Sequence, residues 1–174
     1  MSRPPKHPWS KLQKRLYLLV DPHLNFQIHC RLVRMQSQRG STNLPRYWVT
    51  LDGETIWDYP SHFVAPGGTR RLDGSFVKGY PYNTDISDIS QLIREYIDMP
   101  PAELLTRHFE SDHWGLANIL RAADRRVGRR HWPVLKRKIH NQAALKVLAA
   151  RSRVKAQSND AIEITAVGAR TTKA

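Results

Sequence analysis

The sequence contains few cysteines and no long apolar run, and these are features that define common classes of protein. Its 174 residues include one cysteine, Cys30, which excludes an internal disulfide framework and a zinc site built from several thiolates. The apolar run Leu16–Val20 has only five residues. A membrane span needs about 20, and a signal peptide needs a longer apolar region followed by a small-residue cleavage site. We therefore expect a cytoplasmic protein with a reduced thiol and no membrane partner.

Common catalytic and cofactor motifs are also missing. Gly67–Gly68 is not followed by the lysine and hydroxyl residue of a phosphate-binding loop, and no serine nucleophile elbow occurs. His108, Asp112 and His113 could serve a nuclease, but the two histidines are five residues apart, whereas four would place two metal ligands on one helical face. We predict no cofactor and no resident metal, and an enzyme is the least favoured of three possible functions.

The chain does contain enough apolar material for a core. Hydrophobic residues make up 40% of it and five residues are tryptophan, which argues against intrinsic disorder in the body of the chain. Its length favours one domain. We place that domain at residues 9–155, between a flexible proline-rich arm at 1–8 and a loose tail at 156–174.

The spacing of apolar residues in the first third predicts one helix followed by strands. Trp9, Leu12 and Leu16 recur at helical spacing, and this helix ends at Asp21–Pro22 because proline disfavours helical geometry in the residue before it. From Phe26 onward, apolar and polar residues alternate as in a β-strand.

The dipeptide Asp52–Gly53 predicts a β-hairpin with a two-residue type I′ turn, because both central residues of that turn take positive φ. The simplest register pairs Val49 with Ile56 and places Trp48 opposite Trp57 on a single face. That face is then either covered by the long loop at residues 60–83 or buried against a second subunit, which makes Trp48 and Trp57 candidates for a homo-oligomer interface.

The second half of the chain has the pattern of short helices. An apolar stripe from Ile86 to Ile97 predicts one helix with Thr84 or Asp85 as its N-cap. Further helices are predicted from Pro101, after a cap at Ser111, from Pro133, and after a cap at Asn141, with Gly128 placed to end the third. Strands followed by helices favour an α+β fold with an antiparallel meander and a C-terminal helical cluster.

Positive charge is concentrated near the C-terminus. The formal net charge is +13, and residues 124–155 hold 11 Lys or Arg and one acid. Clustered cations that neutralise phosphates are typical of nucleic-acid binding. We predict a nucleic-acid or other polyanion interface, and its candidate residues are Arg121, Arg125, Arg126, Arg129, Arg130, Lys136, Arg137 and Lys138.

The spacing of these cations leaves two interpretations open. Arg121, Arg125 and Arg129 recur every four residues, so they form a ridge if one helix continues past Gly128. Alternatively, the cations are only the solvated sides of helices, where Lys and Arg near a C-terminus complement the helix dipole. Trp132 fits an apolar stripe better than a stacking platform for a base.

Five segments resemble a family of small uncharacterised bacterial proteins, some of them carried on integron mobile gene cassettes. The segments are WSKLQKRL, HCRLVR, RYWVTLDGETI, GLANILRAADRRVGRR and NQAALKVLAAR. The resemblance implies a bacterial cytoplasmic protein with an accessory or adaptive role. It implies no functional residues.

Overall fold

The computed structural model describes residues 9–37, 40–59, 63–64, 68–70, 76–78, 87–110, 112 and 115–153. The predicted arm and tail, and the helix caps predicted at Thr84, Asp85 and Ser111, lie outside these residues. The helices are α1 Trp9–Tyr17, α2 Ser87–Asp98, α3 Leu116–Ala123, α4 Trp132–Lys138 and α5 at 142–153, with 3-10 turns at Pro101–Glu103 and Arg129–His131. The strands are β1 Phe26–Ser37, β2 Gly40–Leu51, β3 Glu54–Tyr59, β4 Phe63–Val64, β5 Gly68–Arg70 and β6 Phe76–Lys78.

The predicted α+β fold is confirmed. Strands β1, β2 and β3 form an antiparallel sheet in sequence order, and β4, β5 and β6 form a second small sheet within the segment predicted as a long loop. No helix among the described residues is both long enough and apolar enough to cross a membrane.

One face of the first sheet packs against the helices, and the core lies between them. The sheet contributes Ile28 and Val49, which are fully buried. The helices contribute the stripes that their sequence spacing predicts. Their fully buried side chains include Leu92 and Ile93 of α2, Ile119 of α3, and Ala144 and Val147 of α5.

The hairpin turn is confirmed, but the register predicted beyond it is wrong. Asp52 and Gly53 have φ of 52° and 84°, as a type I′ turn requires. Leu51 pairs with Glu54 and Thr50 with Thr55, but Val49 then pairs with Trp57 and Trp48 with Asp58. Ile56 is the extra residue of a β-bulge, which shifts every later pair by one.

Two of the helices predicted beyond α2 are shorter than the sequence pattern indicates. The segment after Pro100 forms only a three-residue 3-10 turn. Helix α3 ends at Ala123, because Asp124 is extended and pairs with Val20 in an isolated β-bridge. Gly128 has φ of −67° and precedes the second 3-10 turn, so its predicted role as a left-handed C-cap is wrong.

Two local predictions about the last helices are confirmed. Pro133 lies in the first turn of α4, where its missing N–H has no helical partner to lose. Asn141 caps α5 because its Oδ1 accepts a hydrogen bond from the Ala143 N–H at 2.8 Å.

Gly115 provides a test of the junction between α3 and α5. Its φ is +73°, and a Cβ there would lie 2.5 Å from Asn141 Nδ2, which also donates to the Gly115 carbonyl. We expect Gly115→Ala to lower the free energy of unfolding by about 1–3 kcal/mol, because a side chain strains left-handed backbone. Urea denaturation would measure this loss.

Gly128 supplies the matched control. Its backbone is in a region open to any residue, and a Cβ added there would meet no atom within 4 Å. We expect Gly128→Ala to be neutral or to stabilise the fold by about 0.4–1 kcal/mol. Equal stability of the two variants would contradict the assigned geometry of Gly115.

Candidate nucleic-acid interface

The ridge predicted from four-residue spacing does not form. Helix α3 ends before Arg125, and the chain continues through a turn into the 3-10 segment Arg129–His131. Arg121, Arg125 and Arg129 therefore lie on three different pieces of local structure. The eight predicted cations divide instead into two that are bound within the fold and six that are exposed.

Arg121 is the first of the two bound within the fold. Its Nε donates to the Leu104 carbonyl at 2.7 Å and its Nη2 to the Arg107 carbonyl, while the guanidinium lies 5.5 Å from the centre of the Phe109 ring. Burial lowers the pKa of Arg121. This side chain holds the 104–109 segment against α3 and is poorly placed to contact a phosphate.

Arg126 is the second, and it belongs to a buried network. Its Nε and Nη2 bind both carboxylate oxygens of Asp124, and its Nη1 donates to the Met99 carbonyl at 3.0 Å. Tyr96 donates its phenol hydrogen to the same carboxylate at 2.8 Å. Tyr96 and Asp124 are fully buried, so the network fixes the turn after α3 to the end of α2.

The other six predicted cations are exposed. None of them forms an ion pair with the residues that the structure describes, and the sequence from 125 to 153 contains no acid. They are Arg125, Arg129, Arg130, Lys136, Arg137 and Lys138.

The aromatic groups beside these cations are already engaged. Trp132 is half-buried against the core and donates its indole N–H to the Val127 carbonyl at 3.2 Å, as its place in an apolar stripe predicts. His131 Nε2 accepts a hydrogen bond from Arg130 Nε at 2.9 Å. Most of the exposed side chains between residues 125 and 138 are therefore Lys and Arg.

The sequence pattern did not single out Arg151, which lies in α5 and contacts Trp132. Its side chain is 1% exposed, and its Nε donates to Asp21 at 2.7 Å. The guanidinium also lies 5.1 Å from the centre of the Trp132 ring. Burial of Asp21 could be predicted from the sequence, because it follows the apolar run Leu16–Val20. Its pairing with Arg151 could not, because the two residues are 130 positions apart.

Asp21 and Asp124 are far apart in sequence but lie on two backbone segments that are hydrogen-bonded to each other. The Asp21 N–H donates to the Ala123 carbonyl and the Arg125 N–H to the Leu19 carbonyl, both at 2.8 Å. Each of the two buried aspartates binds its own arginine, so the ends of α1, α2, α3 and α5 meet at one point. The first of the exposed cations, Arg125, follows Asp124 directly in sequence.

The two tryptophans proposed for a subunit interface do not share a face. Because neighbouring strand residues point to opposite sides, Trp57 lies on the core side with Val49 and Trp48 lies on the other. The Trp48 ring stacks on His29 at 4.8 Å, and Arg46 lies 5.4 Å from its centre. The premise of a common Trp48–Trp57 face is wrong, and the homo-oligomer stays a prediction.

The residues considered for a nuclease are partly explained by local structure. The Asp112 carboxylate accepts hydrogen bonds from the N–H groups of Leu116 and Ala117, both at 2.9 Å, so it caps α3. His108 is exposed, and His113 lies outside the described residues. Within the described part of the chain, no three His, Cys, Asp or Glu residues are grouped as a metal ion would need.

Comparison with known proteins gives one result. The model of the SF0329 protein family matches residues 8–67 and 81–154, which are most of the chain. No curated protein matches the chain, and no solved structure does. The matched residues include α1, the first sheet, the buried aspartate–arginine pairs and all six exposed cations, and the chain belongs to the SF0329 protein family.

Proposed function

We propose that this protein is a non-enzymatic, cytoplasmic bacterial protein that binds nucleic acid through the exposed cations of the turn after α3, the second 3-10 segment and α4. The observation that carries the proposal is six exposed Lys or Arg residues within 14 consecutive positions, 125–138, with no ion-pair partner in the described structure. Carriage on an integron cassette remains a prediction from resemblance.

Local structure favours phosphates over bases as the recognised groups. Arginine and lysine ends neutralise backbone phosphates and release counterions. Reading of single-stranded bases relies on exposed aromatic rings, whereas His131 and Trp132 already have hydrogen-bond partners. We therefore propose binding that depends on charge and only weakly on base sequence.

The salt dependence of binding tests the proposal. If the six exposed cations each contact a phosphate, the logarithm of the association constant for a duplex falls with a slope of about −5 against the logarithm of salt concentration. Fluorescence anisotropy of a labelled duplex, titrated at several salt concentrations, would measure this slope. Absence of binding at low salt, or binding that is insensitive to salt, would refute the proposal.

A charge-matched pair of variants locates the surface. The triple variant Arg129→Gln, Arg130→Gln and Arg137→Gln should reduce the steepness of the salt slope by about three, since each lost phosphate contact removes about one. The control Lys11→Gln, Lys14→Gln and Arg31→Gln removes the same charge from exposed positions on α1 and β1. Equal weakening by both triples would show that only net charge matters, against a defined interface.

A further inference from the structure

A second group of polar side chains lies between α2 and the core face of the sheet. Tyr47 of β2 is 3% exposed, and its hydroxyl is 3.0 Å from the Ser90 Oγ of α2. Cys30 of β1 pairs with Tyr47 across the sheet, so the two side chains point to the same side. The Trp9 and Tyr47 rings pack in a T-shaped arrangement with 5.3 Å between ring centres.

Arg94 brings a positive charge to this group. It lies one helical turn after Ser90, and residues four apart share a helix face. Its Nε is buried with no hydrogen-bond partner, and none of the described residues forms an ion pair with it. A buried donor left unmatched costs about 1–3 kcal/mol, so this arrangement calls for an acceptor.

The later acids of α2 do not supply that acceptor. Glu95 accepts a hydrogen bond from Gln91, and Asp98 binds Arg15 of α1. Both of those contacts are on exposed parts of the helix. Glu95 and Asp98 are therefore bound to other side chains, and neither forms an ion pair with Arg94.

Near neutral pH the group contains protonated side chains and no carboxylate. Burial raises the pKa of the Tyr47 phenol above its ordinary value, and the nearby positive charge of Arg94 opposes that change only in part. Burial also raises the pKa of the Cys30 thiol. Near neutral pH both groups keep their hydrogens. One hydroxyl hydrogen of the Tyr47–Ser90 pair is used in the hydrogen bond between them, which leaves the other hydroxyl hydrogen and the Arg94 Nε as donors.

We propose that Arg94, Ser90 and Tyr47 form a binding site for the oxyanion group, phosphate or carboxylate, of a small molecule. A guanidinium with a hydroxyl donor beside it matches the acceptor oxygens of such a group. Cys30 lines the same site as a thiol. This site is independent of the cations at 125–138, which lie on other elements, so neither proposal depends on the other.

Calorimetric titration with inorganic phosphate and with acetate, at constant ionic strength kept with chloride, tests the site. We expect one of the two anions to bind the wild-type protein, and Arg94→Gln to weaken that binding by about 10- to 100-fold, since hydrogen bonds to a charged group contribute about 1.5–3 kcal/mol. Preference for phosphate or for acetate then distinguishes a phosphoryl from a carboxylate ligand. Ser90→Ala should weaken binding less.

The triple variant Arg129→Gln, Arg130→Gln and Arg137→Gln is the control, and it should bind the small anion as the wild-type protein does. A second readout separates a ligand site from a structural role. Because Arg94 has no ion-pair partner to lose among the described residues, Arg94→Gln should unfold at the same urea concentration as the wild type or at a higher one. Unchanged anion affinity in Arg94→Gln, no binding of either anion, or clear destabilisation by this substitution would each overturn the proposal.

Discussion

Replacing Asp21 by Asn is expected to lower the free energy of unfolding by about 3–5 kcal/mol, because it leaves the Arg151 guanidinium charged and buried without its carboxylate. Arg151 is 1% exposed and the Asp21 side chain 3%. The Nη1 and Nη2 atoms of Arg151 have no hydrogen-bond partner within the described residues, so the carboxylate is the main group that compensates the buried charge. Urea denaturation followed by circular dichroism would measure the loss.

A double-mutant cycle gives this expectation its control. Arg151→Met in the Asp21→Asn background removes the stranded charge, so the double variant should be more stable than Asp21→Asn alone. The exposed pair of Lys146 and Glu54, with side chains 56% and 72% exposed, is the matched comparison. Glu54→Gln should cost less than about 1 kcal/mol, and an equal cost for Asp21→Asn would contradict burial of the Arg151 pair.

Stability should fall steeply at alkaline pH because two buried tyrosines resist ionisation. Burial, and then the charge of Asp124, raise the pKa of Tyr96 well above its ordinary value, and burial raises that of Tyr47. In the unfolded chain both phenols ionise near pH 10. Below that pH the folded and unfolded states bind the same number of phenolic protons, so the contribution to stability is complete.

Above about pH 10 the unfolded state loses these protons while the folded state keeps them. The free energy of unfolding then falls by about 1.4 kcal/mol per pH unit for each tyrosine, or about 2.7 for both, until the folded phenols themselves ionise. Urea denaturation between pH 9 and pH 12 would measure this slope. Tyr47→Phe and Tyr96→Phe should each remove about half of the fall, and an unchanged slope in the double variant would refute the assignment.

Several elements could be predicted because their causes lie within a few residues. The Asp52–Gly53 turn follows from the positive φ that both residues take, and the Asn141 cap follows from one side-chain oxygen beside the first turn of α5. The apolar stripe of α2 predicts its buried side in the same way. These sequence patterns involve residues that are close in sequence. Such residues lie in the same turn, helix or strand, so their contacts do not depend on the tertiary structure.

Predictions failed where a remote contact decided the local structure. The spacing of Leu116, Leu120 and Val127 favours a helix beyond Asp124, but Asp124 pairs with Val20 in a β-bridge and its carboxylate binds Tyr96 and Arg126. The extra residue at Ile56 likewise changes the register of β3 with no local sign of it. Both outcomes depend on groups that approach only in the folded chain.

The amino-acid sequence by itself determined the α+β class, the hairpin turn, the Asn141 cap and the concentration of positive charge after residue 124, because periodicity, turn chemistry and composition act locally. Only the tertiary structure decided which of the Lys and Arg side chains are bound within the fold and which are exposed. It places Arg121, Arg126 and Arg151 in bonded, largely buried positions and leaves the six remaining predicted cations exposed. The physical reason is that the cost of a buried charge depends on which partners surround it in space, and those partners are far away in sequence.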